Sequence, residues 1–405
     1  MLYDNGQLIS LYAEAYQQQP LPLYKRIVEE TIIWAKREML APNKGFYSAL
    51  DADSEGVEGK FYTFDLSEIK TILGDDADLF IAYFNITAEG NWEEEKINIL
   101  NCDIDADLMA QQAGYTSEEW EAYLHSIKKK LFDYRKKRIH PGLDHKQLAT
   151  WNALLLKGLI DAYRVFDKQD YLKLALENAE FLMQELIAED FTMLHQPKDS
   201  NRSIPGFLDD YAFTIAAFTA LYEATFEEKW LYTAKGLLDK TVELFYDSHE
   251  KTFYYSASNA EKLIARKSEV MDNVIPSSTS TICHQLKKIG LLLDNEGYIS
   301  ISDQLFANVF PQIKTYGSAY SNWAILLLEE LYGCNEIALT GEDAQAFRKE
   351  LDHYYIPNKI VLGGTKGSLP LLLNREGLKS KAYLCRNKTC SVPQNTIAEL
   401  IKIIE

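Results

Sequence analysis

The stretch DAYRVFDKQDYLKLA, residues 161–175, recurs 59 positions later as ALYEATFEEKWLYTA, residues 220–234. The alignment matches Tyr163 with Tyr222 and Tyr171 with Trp230, so that the aromatic residues of each copy lie eight positions apart. Each copy reads as an apolar helical segment, a short polar turn and a second helical segment. A repeat of this kind predicts stacked helical hairpins whose aromatic side chains pack at each turn.

The same spacing extends this pattern in both directions. Tyr16 and Tyr24 are again eight positions apart, across the turn QQQPLPL, and the helix that ends at Leu331 and Tyr332 resembles the first half of a further copy. Five or six hairpins can close into an (α/α)6 toroid of inner and outer helices, or stay open as a solenoid of the tetratricopeptide kind. Because the repeat is longer and less regular than such solenoids, we expect the closed toroid.

The chain divides into two predicted domains. Residues 1–333 form the toroid, with short β-hairpins in its loops. From residue 334 to residue 405 the pattern changes to the short apolar runs EIALTG, NKIVLGG and KAYLCR, with helices predicted at 342–353 and 395–404. This alternation predicts a small α/β subdomain packed on a mainly α protein.

Charge and composition exclude several classes of partner. The chain has 60 acidic and 42 basic residues among 405, a formal charge of −18 with no basic stripe, so nucleic acid and anionic membranes are not expected partners. The N-terminal MLYDNGQLISLYAEAY has no signal-peptide pattern, and no run approaches the ~20 apolar residues that span a bilayer. We expect a cytoplasmic protein.

The cysteines are few and scattered, at Cys102, Cys283, Cys334, Cys385 and Cys390. An odd number without a disulfide pattern fits a reducing compartment. Only the last two are close, and their C-x4-C spacing is not one of the tight metal or redox spacings. Two ordinary thiols are therefore favoured over a metal or redox pair.

Four long connections separate the predicted hairpins, at residues 40–66, 134–147, 189–210 and 247–276. In an alternating up-and-down arrangement these connections all emerge at one rim, and long loops on a rigid scaffold commonly carry function. We therefore expect one mouth lined by the four loops. The first of them contains FYSALDADSEGVEGKFYTF at residues 46–64, in which four acids stand between aromatic pairs.

Carboxylates around an aromatic cavity suit a sugar, because sugar ring faces stack on aromatic rings while carboxylates accept hydroxyl hydrogen bonds and transfer protons. The expected catalytic residues are Asp51, Asp53, Asp210 and His145. The residues expected to bind substrate lie in the same loops or at adjacent helix starts: Glu55, Glu58, Tyr62, His140, Asp144, Trp151, Asn152, Asp209, Tyr211, Glu269 and Asp272. No cofactor and no metal are expected.

Each residue also has a structural interpretation. Asp209 or Asp210 opens a helix and stands where a capping residue would, a role worth about 1 kcal/mol. Glu269 is placed to pair with Arg266 or Lys267 in a solvated contact that contributes about 0–1 kcal/mol.

Asp144 has the same capping option before the helix that begins near residue 147. His140 and His145 lie five positions apart around a proline and a glycine, which favours a loop over a metal-binding helix. A histidine that shuttles protons and a plain surface histidine remain equally open.

Six motifs, taken in chain order, resemble one family. They are FYSALDADSEG at 46–56, EGKFYTF at 58–64, RKKRIHPGLDHKQLATWNALLLKGL at 135–159, GFLDDYAF at 206–213, EVMDNVIPSSTS at 269–280 and AYLCRNKTCSVP at 382–393. Together they are similar to the thioredoxin-domain-containing YyaL-type family, whose animal relative is a spermatogenesis-associated protein. The resemblance departs at Phe64, where the family's tryptophan is expected.

The resemblance implies an (α/α)6 toroid similar to six-hairpin glycosidases and N-acylglucosamine 2-epimerases. It also implies that MLYDNGQL is the family's first toroid helix, without the thioredoxin-like domain that precedes it in the family. The favoured hypothesis is an enzyme that epimerises or cleaves a carbohydrate. The alternative is a non-catalytic ligand-binding or docking module whose partner is a thioredoxin-like domain or protein.

Overall fold

The computed structural model describes residues 1–198, 203–261, 264–365, 367–373, 375, 379–386 and 388–404. These residues form two compact units. The larger unit comprises Met1–Ser48 and His145–Glu405, and the smaller unit comprises Ala49–Asp144. The smaller unit is thus inserted between the first two helical hairpins of the larger one in sequence.

Helices dominate the chain. In order they are α1 Leu2–Gln18, α2 Pro22–Trp34, α3 Leu66–Leu73, α4 Ala77–Tyr83, α5 Ala106–Ala113, α6 Ser117–Arg135, α7 Ala149–Phe166, α8 Gln169–Phe181, α9 Leu208–Thr225, α10 Glu228–Phe245, α11 Ser278–Leu293, α12 Glu296–Ile313, α13 Ser321–Tyr332, α14 Ala344–Leu351 and α15 Ile397–Ile404. The strands are β1 Ala49–Leu50, β2 Asp53–Ser54, β3 Val57–Glu58, β4 Leu143–Asp144, β5 Tyr246–Asp247, β6 Thr252–Phe253, β7 Asn335–Thr340, β8 Lys359–Gly364, β9 Lys381–Arg386 and β10 Thr389–Cys390. Within the described ranges, no helix has the length and apolar character that a bilayer crossing requires.

The helices of the larger unit pair as the repeat predicts. α1 is followed by α2, α7 by α8, α9 by α10 and α11 by α12, each pair joined by a short turn. The first helix of each pair packs against the first helix of the next, in the order α1, α7, α9, α11 and α13. These five are inner helices. The predicted mainly α fold of inner and outer helices is confirmed, with four complete pairs and α13 in the described part of this unit.

Burial separates the inner from the outer helices. α9 is buried on almost all its sides, whereas α2 buries only Val28 and Ile32. An inner helix contacts neighbours on several sides, so it needs apolar residues around its whole circumference; an outer helix needs a single apolar stripe. The near-continuous apolar sequence of α9 is therefore the signature of an inner helix.

The two repeat copies end their inner helices in the same way. Asp167 and Phe226 occupy equivalent positions, and both adopt the left-handed backbone conformation that turns the chain into the outer helix, with φ of 48° and 59°. The aromatic residues that follow, Tyr171 and Trp230, are buried. The Trp230 ring lies 5.4 Å from the ring of Phe218. The second aromatic residue of each copy is therefore buried, and packing of the paired aromatic residues at each turn stays a prediction.

Two glycines set the spacing between the first two inner helices. A Cβ atom on Gly158 of α7 would lie 2.5 Å from the carbonyl oxygen of Gly6 of α1, and one on Gly6 would lie 2.7 Å from the backbone nitrogen of Leu155. The two backbones therefore touch at this point, which only residues without a side chain allow.

The C-terminal segment of the larger unit forms the predicted α/β structure. Its sheet has the order β10-β9-β7-β8, with β7 parallel to β8 and antiparallel to β9. α14 connects the two parallel strands. Ile337, Val361 and Leu384 lie in the core beneath the sheet, together with Leu400 of α15.

The prediction of two ordinary thiols in this segment is wrong. Cys385 of β9 and Cys390 of β10 lie opposite each other in the antiparallel pair and form a disulfide. The strand register brings the two side chains together, and sequence spacing alone does not reveal such a register. Cys102, Cys283 and Cys334 are free thiols.

The smaller unit has its own core. Phe64, Phe80 and Trp120 are buried in it, together with side chains of α5 and the other helices of the unit. β1 pairs with β4 at the two ends of the segment, and β2 with β3 forms a two-stranded hairpin. The helices of this unit are α3, α4, α5 and α6.

Candidate functional site

The candidate site is built around a carboxylate at the N-terminal end of α9. Asp210 is fully buried. Its Oδ2 accepts a hydrogen bond from the backbone N–H of Phe207 at 2.9 Å, and its Oδ1 accepts from the hydroxyl of Thr150 at 2.7 Å and from its N–H at 3.2 Å. Because Thr150 lies in the first turn of α7, one carboxylate caps two neighbouring inner helices, where the helix dipoles favour negative charge.

His195 is the side-chain partner of this carboxylate. Its Nδ1 lies 2.9 Å from Oδ2 and 3.2 Å from Oδ1 of Asp210. The backbone of His195 is fixed as well, since its N–H donates to the carbonyl of Ile204 and its carbonyl accepts from the N–H of Ala149, both at 2.9 Å. The hydrogen bond to Asp210 raises the pKa of His195 against the opposing effect of burial. With Nδ1 occupied and 22% of the side chain exposed, Nε2 is the nitrogen that can meet a ligand.

Asp209 lies beside Asp210 in a different environment. Its Oδ1 accepts from the N–H of Asp210 at 3.0 Å, and its carboxyl group is hydrogen-bonded to the hydroxyl of Tyr255. Burial and the charge of Asp210 raise the pKa of Asp209 to about 7, while His195 opposes this shift. Near neutral pH, Asp209 is therefore protonated in a substantial fraction of molecules.

Aromatic rings line the same place. The rings of Phe207 and Tyr255 stack with centroids 5.2 Å apart and an interplanar angle of 10°, and the Phe207 ring meets the His195 ring edge-on at 5.3 Å. Burial and the charge of Asp209 raise the pKa of Tyr255, so its hydroxyl keeps its proton as a hydrogen-bond donor. The site thus combines a proton-bearing carboxyl group, an imidazole and flat apolar faces.

Glu269 contributes to the charge of this site and also caps a helix. Its Oε2 accepts from the hydroxyl of Ser278 at 2.7 Å and from the Ser278 N–H at 3.2 Å, at the start of α11. Its charge adds to the upward shift of the Asp209 pKa. The guanidinium group of Arg266 donates to the carbonyl of Ser256 at 2.6 Å.

Asp272 joins the starts of two inner helices. Its Oδ1 accepts from the N–H of Ser277 at 2.9 Å, and its Oδ2 accepts from the N–H of Asn322 at 2.8 Å. These contacts lie before α11 and at the beginning of α13. Asp272 thereby repeats at α11 and α13 what Asp210 does at α7 and α9.

Three other predicted site residues lie in the packing beneath the rim. Asn152 is fully buried, and its side-chain amide bonds the backbone N–H of Phe46 at 2.7 Å and the carbonyl of Phe46 at 3.1 Å. The hydroxyl of buried Tyr211 accepts from the N–H of Met193 at 2.8 Å. Trp151 packs edge-on against Tyr3 at 4.8 Å.

The exposed His145 lies elsewhere in the larger unit, edge-on to the ring of Tyr47 at 5.0 Å. The side chain of His145 thus packs against an aromatic ring and not against the carboxylates of α9. Its role in proton transfer stays a prediction.

The predicted acids of the smaller unit lie on the exposed β2–β3 hairpin and next to it. Asp53 and Glu58 face each other across the hairpin. Glu55 forms an ion pair with Lys60 at 2.8 Å, and the Oδ1 of Asp51 accepts from the N–H of Asp53 at 3.2 Å. The catalytic and binding roles of these acids stay predictions.

The remaining predicted residues of the smaller unit pack near its ends. Tyr62 lies edge-on to Phe61 at 4.9 Å, and the same Phe61 ring lies 4.8 Å from the ring of His140. Asp144 pairs with Ala49 between β4 and β1. Their roles in substrate binding likewise stay predictions.

Two residues of the site, His195 and Tyr255, are not among those predicted from the sequence. Both lie in the predicted rim loops 189–210 and 247–276. Their titratable side chains in these loops are the sequence signal that could identify them. Among the predicted residues, Asp209, Asp210 and Glu269 are the ones that the structure brings together around them.

No protein-family model matches the chain. The whole chain is 27% identical to spermatogenesis-associated protein 20 of Homo sapiens, of which it covers 57%. Over 99% of its length it is 25% identical to an uncharacterized protein of Caenorhabditis elegans, of which it covers 60%.

Two solved structures with sugar-related names are similar at low scores. A sugar epimerase from a ruminal bacterium gives a TM-score of 0.46 at 11% identity, over 76% of this chain and 60% of that chain. An unsaturated glucuronyl hydrolase from Bacillus sp. GL1 gives a TM-score of 0.35 at 12% identity, over 61% and 48% of the two chains. The resemblance indicated by the six motifs is confirmed by the sequence relatives: the chain is similar over its whole length to spermatogenesis-associated protein 20 and spans little more than half of that protein's length.

Proposed function

We propose that the protein catalyses acid–base chemistry on a carbohydrate, with Asp209 and His195 as the proton-transferring pair. One observation carries this proposal: a carboxyl group whose pKa is near 7 and an imidazole anchored through Nδ1 both flank the buried Asp210. Groups that ionise near the working pH are the most effective general acids and bases. Environments that push the pKa values of neighbouring titratable groups apart are typical of catalytic sites.

The proposed roles follow from the environments. Asp210 is committed to helix capping and to the Nδ1 of His195, so it orients the ring instead of meeting the substrate. His195 then offers Nε2 as the base. Asp209, hydrogen-bonded to Tyr255, is the acid that protonates a substrate oxygen.

A sugar fits the surroundings of this pair. The partly exposed faces of Phe207 and Tyr255 suit the apolar face of a pyranose ring, while the carboxyl and hydroxyl groups suit its hydroxyls. An imidazole base favours removal of a proton from a carbon next to a carbonyl over glycosidic cleavage, which commonly uses two carboxylates. We therefore favour an epimerase or isomerase that acts on a reducing sugar. The catalytic roles predicted for Asp51, Asp53 and His145 stay separate predictions.

Proton exchange with solvent provides the test. Purified protein is incubated in D2O with a panel of reducing mono- and disaccharides, and proton NMR follows loss of the signal of the hydrogen next to the carbonyl carbon. Asp209→Asn and His195→Gln should each lower the exchange rate by about 10²–10⁴-fold. His249→Gln, at a histidine whose side chain is 92% exposed, should keep the wild-type rate.

Failure of exchange has two distinct meanings. Sugar binding without exchange would support a ligand-binding module of the kind considered from the sequence. Neither exchange nor binding across the panel would overturn the carbohydrate proposal.

A further inference from the structure

A second place in the larger unit can hold a small molecule. A cavity of about 960 Å³ runs between the inner helices and extends to β7 and β8. Asp209, Asp210, His195 and Tyr255 are not among its lining residues. The polar side chains on its wall that matter below are Glu14 of α1, Lys157 of α7, Gln285 of α11, Glu336 of β7 and Lys359 of β8.

Two of these polar groups are incompletely partnered among the described residues. The Oε1 atom of Gln285 is buried without a hydrogen-bond partner, although only 8% of this residue is exposed. Glu336 is 6% exposed and pairs with no described cation. Buried polar groups are normally satisfied, and an orphan that lines a cavity indicates a ligand that supplies the missing partner.

Lys359 is the lysine on this wall that makes no ion pair among the described residues. Its amine donates a hydrogen bond to the carbonyl of Tyr354 at the long distance of 3.5 Å. The carboxylate that could neutralise it, buried Asp352, is already bound by the guanidinium groups of Arg164 and Arg348. Burial and the charge of Arg164 lower the pKa of Lys359, while the charges of Asp352, Glu223 and Glu14 oppose this shift without forming an ion pair with Lys359 among the described residues.

Lys157, on the same wall of the cavity, differs from Lys359 because its amine forms an ion pair. Its amine lies 2.6 Å from Oδ2 of Asp161, and the charge of that carboxylate raises its pKa. Burial and the charge of Arg164 lower the pKa of Lys359 to about 8. Glu14, an exposed residue on the same wall, interacts through its charge with both amines. The cavity thus presents one protonated amine and one partly uncharged amine, with a carboxyl group on the same wall.

We propose that the cavity binds a small carbonyl compound, an aldehyde or a ketone, and that Lys359 holds it as an imine. The amine nitrogen attacks the carbonyl carbon to give a carbinolamine, and loss of water leaves a C=N bond, with Glu14 placed to protonate the departing hydroxyl group. Hydrolysis reverses the step, so no oxidant or reductant is needed.

Reductive trapping tests the proposal on the full chain. The protein is incubated with glycolaldehyde and sodium cyanoborohydride near pH 7, and peptide mass spectrometry measures the initial rate of alkylation at each lysine. Lys359 should react at least about tenfold faster than Lys157 in the cavity and than the exposed Lys25. Lys359→Arg, which keeps the positive charge, should abolish the fast-reacting position, whereas Lys157→Arg should leave it unchanged.

The alkylation rates of the wild-type protein test the proposal even if a variant does not fold. A Lys359 rate equal to or below that of Lys25 would overturn the proposal. Since trapping requires no sugar turnover, this result is independent of the acid–base chemistry proposed for Asp209 and His195.

Discussion

The Nδ1 atom of His195 lies 2.9 Å from Oδ2 of the fully buried Asp210. This contact ties the loop before α9 to the start of that helix, and through Thr150 to the start of α7. A carboxylate in this position is stabilised by two helix N-termini and by the imidazole. Asp210 therefore joins the starts of two inner helices and orients the ring of His195.

Replacing His195 should make stability less dependent on pH. The pKa of His195 is raised in the folded protein above its ordinary 6.5. The stabilisation is therefore fully present below about pH 6.5 and is lost as pH rises through the folded-state pKa. His195→Gln should cost roughly 1–2 kcal/mol at pH 5 and less at pH 8. Urea unfolding at both pH values measures this difference, and the exposed His249→Gln is the control. An equal cost at both values would contradict the assigned partnership.

Asp209→Asn should stabilise the protein at alkaline pH. The folded-state pKa of about 7 lies above the ordinary 3.8, so the favourable contribution of the protonated carboxyl is present below about pH 3.8 and is lost as pH rises through 7. The neutral amide avoids the cost of burying a charge, and we expect a gain of roughly 1–2 kcal/mol at pH 8. Thermal unfolding at pH 5 and pH 8 tests this expectation. Asp133→Asn, at an exposed residue of α6, should change stability by no more than about 0.5 kcal/mol. A gain that did not increase with pH would argue against a raised Asp209 pKa.

Asn152→Ala should destabilise the fold without acting through the acid–base pair. The variant leaves the N–H and carbonyl of buried Phe46 without the hydrogen bonds that Asn152 provides. The expected cost is about 2–4 kcal/mol, measured by urea unfolding. Asn308→Ala, at an exposed residue of α12, is the matched control and should cost less than about 1 kcal/mol. Similar costs for the two variants would show that the buried contacts contribute little.

Gly158→Ala should also destabilise the protein, although alanine is the better helix former by about 1 kcal/mol. Its Cβ would lie 2.5 Å from the backbone oxygen of Gly6, so α1 and α7 would have to separate. We expect a loss of roughly 2–3 kcal/mol in calorimetry or urea unfolding. Gly317→Ala meets no atom within 4 Å and should be nearly neutral. Stabilisation by Gly158→Ala would exclude the close backbone contact.

Thiol titration should distinguish the disulfide from two ordinary cysteines. Cys385 and Cys390 are paired, and Cys102, Cys283 and Cys334 are free. Protein purified without reductant and unfolded in denaturant should therefore expose three reactive thiols, and five after reduction. Five thiols before reduction would show that the pair stays reduced under the conditions of purification.

Much of the fold could be predicted because its determinants repeat locally. The 59-residue repeat identifies the α7–α8 and α9–α10 hairpins, since helical periodicity and turn residues are properties of neighbouring positions. The C-terminal change of pattern likewise predicts the β7, β8 and β9 strands. The Cys385–Cys390 disulfide was not predicted because it depends on the register between β9 and β10.

The sequence by itself determined the mainly helical fold, the hairpin repeat and the C-terminal α/β segment, and it placed candidate residues in the GFLDDYAF motif. Only the tertiary structure decided which of the two acids in that motif caps two helices and which bonds Tyr255. Asp209 and Asp210 are adjacent and chemically identical, yet one hydrogen-bonds Tyr255 and the other His195 and Thr150. Protonation states depend on burial and on the charges that folding brings near, and residues 15 to 60 positions apart in the chain become neighbours only when the inner helices pack.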